Sequence, residues 1–156
     1  MAVRTGFAGT TSPGDVLTSA QITRLPGGWI GYVEVTANQT GIGTGPTDLT
    51  SLTLTVTAGT SRRLQITGYC RVTQAAGAAA AGSVFIRNSV PNTLQTSTLS
   101  LDASYTGMHA PMSVQTPSAG SNTYKLSAGT TANTFDLIAS SSQPAFIMVE
   151  DIGPSA

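Results

Sequence analysis

One histidine, one cysteine and seven carboxylates are the titratable groups from which this 156-residue chain could build acid–base, thiol or metal chemistry. His109 stands in S-Y-T-G-M-H-A-P-M, a turn-like run that predicts a surface or interface position. A hydrolytic triad would need it beside a nucleophile held on a strained turn, and no G-x-S-x-G occurs. A histidine metal site needs partners, yet there is no second histidine. Cys70, in R-L-Q-I-T-G-Y-C-R-V, is in phase with Leu64, Ile66 and Val72, so it reads as a small buried hydrophobe and not a nucleophile. Glu150 and Asp151 are adjacent, unlike the D-x-D-x-D-G of a calcium loop. Asp102, Asp136 and Glu150 would face one another across a glycosidase cleft only through tertiary placement. T-A-G-T-S-R and G-T-G-P-T are glycine-rich but lack the lysine of a phosphate loop. The expectation is a protein that is not an enzyme, with no catalytic residue, no metal and no cofactor.

Charge narrows the partners further. Only 9% of the residues are charged, against roughly 25% in a usual soluble domain. Seven basic and seven acidic residues cancel, so no electrostatic footprint points to nucleic acid or to an anionic membrane. Arg62, Arg63, Arg71 and Arg87 are expected in salt bridges or on a solvated face. The start, M-A-V-R-T-G-F-A-G-T-T, has no apolar signal core, and no run approaches the roughly 18 apolar residues of a membrane span. A lone cysteine allows no disulfide within the chain.

The elements that must position these groups are strands. From Trp29 the hydrophobic period is two. W-I-G-Y-V-E-V-T reads as a strand, N-Q-T-G-I-G-T-G-P-T as a turn-rich connection, and L-T-S-L-T-L-T-V-T as a strand with Leu52, Leu54 and Val56 on one face and threonines on the other. A-G-T-S-R then turns the chain into R-L-Q-I-T-G-Y-C-R-V-T-Q, which predicts an antiparallel hairpin. A-A-G-A-A-A-A-G (75–82) predicts a loop or a single turn, since two glycines oppose the helical preference of alanine. Further strands follow at S-V-F-I-R-N, L-Q-T-S-T-L-S-L, A-P-M-S-V-Q-T, T-Y-K-L-S-A, F-D-L-I-A-S and A-F-I-M-V-E. Roughly nine short strands with turn-forming separators give an all-β fold, a sandwich or barrel. Residues 1–28 carry one weak helix start and then the breaker L-P-G-G, and read as an arm, or in the isolated protein a disordered terminus, preceding a sandwich domain at 29–156.

The run A-F-I-M-V-E-D-I-G (145–153) breaks the alternation. Phe146 and Met148 point one way and Ile147 and Val149 the other, and all four are apolar. One pair can face the strand's own core. The second pair needs another cover, either a neighbouring subunit or a second sheet and loop of the same chain.

Three stretches carry a resemblance: R-L-P-G-G-W-I-G-Y-V-E-V-T-A-N-Q-T-G-I, then L-T-V-T-A-G-T-S-R-R-L-Q-I-T-G, then S-A-G-S-N-T-Y-K-L-S-A-G-T-T closing on P-A-F-I-M-V-E-D-I-G-P. From about Leu17 to Pro154 the chain resembles small virion structural proteins of tailed phages of actinobacteria, with the departure greatest between Gln74 and Met112. The resemblance implies an antiparallel β-sandwich of jelly-roll, tumour-necrosis-factor-like type with an extended N-terminal arm. It also implies a homotrimer located on the virion. Phe146, Ile147, Met148 and Val149 would then form the oligomer interface. In one reading the chain is a capsid decoration or cementing protein, with Val3, Phe7, Val16, Leu17 and Ile22 of the arm attaching it to the major capsid protein or another virion protein. In the other it is a tail or fibre protein that binds a host-surface glycan, with Tyr105 and Tyr124 as stacking residues.

Overall fold

The computed structural model describes residues 27–76, 80–89, 92–101 and 106–155. They form strands β1 (Gly28–Val35), β2 (Gln39–Ile42), β3 (Thr47–Ala58), β4 (Arg62–Ala76), β5 (Ala80–Asn88), β6 (Thr93–Leu101), β7 (Thr106–His109), β8 (Met112–Gln115), β9 (Gly120–Thr130), β10 (Thr134–Ile138) and β11 (Ala145–Pro154). No helix occurs among the described residues, so none there is long and apolar enough to cross a membrane.

β4 organises the first sheet. β10 and β11 lie end to end along one side of it, from Thr134 opposite Ala76 to Pro154 opposite Arg62. β7 and β8 lie end to end along the other, from Thr106 opposite Thr73 to Gln115 opposite Leu64. The second break falls at Pro111, which has no N–H to donate to a ladder. Its carbonyl still accepts from the Gly68 N–H at 2.9 Å. β1 pairs with β11 at one edge and β2 with β10. The second sheet runs β3-β9-β5-β6. With each broken strand counted once and β2 set aside, the sheets take strand positions 1-8-3-6 and 2-7-4-5 along the chain. All pairings between named strands are antiparallel. That order is the jelly roll.

The core lies where the alternation put it. Leu64, Ile66, Cys70 and Val72 of β4 are fully buried, as are Leu52, Val84, Ile86, Leu126, Ile147 and Val149. Gly68 sits in the same inward row, and a Cβ there would stand 2.4 Å from Leu126 Cδ1 of the opposite sheet. The missing side chain lets the two sheets close on each other at the middle of β4. Gly31 does the same for β1, where a Cβ would meet Val56 Cγ1 at 2.7 Å.

Three expectations are corrected. β3 and β4 are not a hairpin: β3 pairs with β9, and β4 with strands of the other sheet. Alternation shows that each strand buries one face, and the two buried faces meet across the core instead of lying side by side. The turn-rich segment after β1 contains β2, whose Ile42 is buried and opposes Phe135. Glycine at φ 72° (Gly41) supplies the irregularity that hid it. Of the alanine-rich tract, 75–76 end β4 and 80–82 begin β5, so it is mostly strand; residues 77–79 lie outside the described residues.

Candidate functional site

Side chains on the outer face of the first sheet fall into cross-strand rows. Tyr32, Met148, Thr67 and Met112 make one row; Glu34, Phe146 and Tyr69 make the next. Trp29, Glu150, Gln65 and Val114 flank them on one side, and Arg71 and Met108 lie beyond on the other. A register shift between Trp29 and Gly31 brings Trp29 to the same side as Tyr32, three residues on.

Four rings cross three strands of this face. Trp29 stacks on Tyr32 with centroids 6.1 Å apart and planes 11° from parallel. Tyr32 meets Phe146 at 5.6 Å, and Phe146 meets Tyr69 at 5.5 Å. The chain has only four Phe, four Tyr and one Trp, so nearly half of its aromatic residues stand here. Three of its four methionines join them. The face is open: Trp29 is 69% exposed, Met108 70%, Met112 53%, Val114 46% and Tyr32 43%. A contiguous open apolar surface of this kind marks a contact site, because its desolvation is favourable at about 25 cal/mol per Å².

Polar groups form the rim. The Tyr32 hydroxyl donates to the Glu34 carboxylate, and that bond pushes the phenol up to about 12. Gln65 donates to Glu150 at 3.4 Å, and Arg71 to the Gln143 carboxamide. An apolar centre with a polar, hydrogen-bonded edge is the anatomy of a protein interface.

The structure separates the four residues expected at an interface. Phe146 and Met148 lie on this outer face. Ile147 and Val149 are fully buried on the inner face, so they belong to the sandwich core and not to any surface. Trp29, Tyr32, Tyr69, Met108, Met112 and Val114 complete the face. No one-strand pattern could gather them, since they come from four strands scattered along the chain. Val3, Phe7, Val16, Leu17 and Ile22 lie outside the described residues, as does Tyr105.

Two other expectations change. His109 is not at the surface but 1% exposed, facing inward from β7. Its Nδ1 lies 3.1 Å from the Ser97 hydroxyl of β6, across the two sheets. Nε2 has no hydrogen-bond partner. Burial, which outweighs the contact with Ser97, holds its pKa below the ordinary histidine value. M-H-A-P-M reads as a turn because Pro111 follows, but the break falls after His109. Tyr124 is also buried, 3% exposed, so its ring is no platform for a sugar. Cys70 is buried as expected, and burial pushes its thiol up to about 12, far from any thiolate role.

The charged residues elsewhere tie the fold together. Asp151 accepts from Arg62 Nε at 2.7 Å and from the Gly153 N–H at 2.9 Å. Asp48 gathers Lys125 Nζ at 2.6 Å, the Ser127 hydroxyl at 2.7 Å and Arg87 at 3.3 Å. Partial burial pushes both carboxyls up, but these bonds and charges outweigh it and hold each below the usual carboxylate range. No group of three potential metal-binding side chains occurs among the described residues.

No family model matches the chain, and no curated protein does. Among solved structures, it is similar to infectious bursal disease virus Gx strain at 10% identity and a TM-score of 0.44, over 81% of this chain and 37% of the viral one. Infectious bursal virus derived T=1 particles give 8% identity and 0.41, over 81% and 36%. The Eiger TNF of S. frugiperda gives 11% and 0.42, over 83% and 96%. The chain thus spans little more than a third of the viral chains it resembles. Similarity at this level adds nothing to what the strand order already states.

Proposed function

We propose that this chain is a virion structural subunit of a tailed phage, without catalytic activity, that self-associates as a homotrimer through the outer face of the β1-β11-β4-β8 sheet. The observation that carries the assembly is the open ladder Trp29–Tyr32–Phe146–Tyr69 with Met108, Met112 and Met148 around it. Neighbouring copies arranged about a threefold axis are an apt cover. The rim carries Glu34, Glu150 and Arg71 and no block of like charge, and the chain as a whole is neutral, so copies do not repel. The virion setting rests on the sequence resemblance. Within it the decoration reading assigns attachment to the N-terminal residues 1–28 through Val3, Phe7, Val16, Leu17 and Ile22, buried against the major capsid protein or another virion protein. In the alternative, a tail or fibre protein that binds a host-surface glycan, Tyr124 is too buried to be a stacking platform, so contacts to a sugar there would have to be polar.

Light scattering coupled to size exclusion tests the assembly: a trimeric mass for the parent and a monomeric mass for Met148→Glu are expected. A monomeric parent at micromolar concentration overturns it. Attachment is tested by adding the full chain, and a chain lacking residues 1–24, to particles stripped of the native protein and pelleting them. Equal co-sedimentation of both forms would remove the arm from the mechanism.

A further inference from the structure

The end of β5 with Ser89, the start of β6, the β8–β9 connection and the start of β9 line a cleft of about 350 Å³. Ligand sites begin at roughly 300 Å³, so the space fits a small ligand of about one ring or two. No charged side chain lines it: three carboxamides (Asn88, Gln115, Asn122), the apolar Leu94 and Pro117, the largely buried Tyr124, and serine and threonine hydroxyls make up the wall.

The carboxamides are held at one end each by the protein. The Asn88 oxygen accepts from the Asn92 N–H at 3.3 Å, which leaves its amino group to donate. Asn122 does the reverse, since its Nδ2 donates to the Ser118 and Gly120 carbonyls at 2.9 Å and its oxygen remains to accept. Gln115 commits its Nε2 to the Ser113 hydroxyl at 2.7 Å, so its Oε1 also remains to accept. The carboxamides that line the cleft therefore keep both donor and acceptor capacity, with no net charge. A sugar hydroxyl both donates and accepts, and adjacent hydroxyls on a ring match such a mixed set. Leu94 and Pro117 supply apolar wall for the C–H side of the ring. A charged ligand would find no counter-ion here, and desolvating it would cost affinity.

We infer that this cleft binds a neutral saccharide unit, oriented by Asn88, Gln115 and Asn122. The inference does not rest on the assembly reading, because none of its residues belongs to the aromatic face.

The test is a titration of the isotope-labelled full chain with glucose, galactose, mannose and N-acetylglucosamine, followed by NMR. Glucuronate and a neutral Gly-Ser-Gly amide peptide serve as competitors of other chemistry. Saturable shifts confined to residues 88–89, 94, 115–118 and 122–124 with at least one neutral sugar are the expected result. Asn88→Asp keeps the acceptor for Asn92 and removes the donating amino group, so affinity should fall about tenfold with the turn intact. Met148→Glu should bind the sugar as the parent does, which separates this site from the association face. No localised shift with any neutral sugar, tighter binding of glucuronate or of the peptide, or an unchanged affinity in Asn88→Asp would each overturn the inference.

Discussion

The two sheets bury alike and differ outside. The outer face of the first sheet carries the ring ladder and three methionines. That of the second carries Thr53, Thr55, Thr57, Thr123, Thr96, Thr98 and Ser83, with Phe85 the aromatic exception. Hydroxyls on the second face pair with one another, Thr55 with Thr123 at 2.8 Å and Ser83 with Thr98 at 2.9 Å. Its charges are likewise satisfied within the sheet, Lys125 and Arg87 on Asp48. β-Branched threonine suits a pleated surface while keeping a polar tip in water, so the second face is finished as it stands. The first still has apolar area to bury. In the proposed assembly of a chain with little charge, choice of contact would be set by where the aromatic residues are.

Substitutions on either side of a single strand probe this contrast most strongly. Ile147→Glu sets a carboxylate in the buried core, in register with Val33 and Gly68, and should cost about 3 to 5 kcal/mol, enough to abolish the folded state of a domain of ordinary stability. Loss of cooperative thermal unfolding checks it. Its neighbour Met148→Glu points outward, so the fold should survive while association weakens by about 2 kcal/mol or more per interface, read as the mass shift to monomer. Were Met148→Glu to unfold the protein, or to leave its mass unchanged, the outer face would not be an association surface.

Acid should act inside the sandwich, between the two sheets. The unfolded chain protonates His109 near pH 6.5, whereas the folded protein does so only at lower pH. Between those values the unfolded state binds the extra proton, so stability falls as pH falls, by up to about 1.4 kcal/mol per pH unit. The facing groups on β4 and β6 offer no carboxylate to compensate: Cys70 stays neutral, Arg71 points outward, and Thr93–Leu101 contains no charged residue. His109→Gln should flatten the pH dependence of the denaturation midpoint between pH 6.5 and 5, before the carboxylates of Asp48 and Asp151 begin to titrate. The smallest effect belongs to the finished face. Thr57→Glu should change stability by no more than about 0.5 kcal/mol and leave the oligomeric mass untouched. A large loss of association there would reverse the assignment of the two faces.

Burial in this fold was written in the alternation of single strands, and Leu64, Ile66, Cys70 and Val72 took the inward positions that their spacing demanded. Partnership was not. The pattern of β3 and β4 is the same whether they pair as a hairpin or face each other across a core, so strand order had to come from the whole chain. The aromatic outer face was half legible: Phe146 and Met148 stood out because their strand is apolar on both sides. Trp29, Tyr69 and Met112 did not, since each occupies an ordinary outward position and becomes part of a patch only by register. His109 was misread because proline two residues later suggested a turn around it. The polar cleft left no signal, for its carboxamides come from three separate segments.

The pairing of β1 with β11 has a consequence in time. Trp29 and Tyr32 emerge from the ribosome more than a hundred residues before Phe146 and Met148, and the strand that must lie between β1 and β4 is the last of the described chain to be made. Until then β1 has no neighbour in its sheet, and the ring ladder does not exist. Such long-range pairing folds slowly. It also makes the sticky surface a product of completion: a nascent or prematurely ended chain can display Trp29 but not the face built around it. In the proposed assembly, recognition between copies would thereby be reserved for chains that have been synthesised through Met148 and have closed their sandwich.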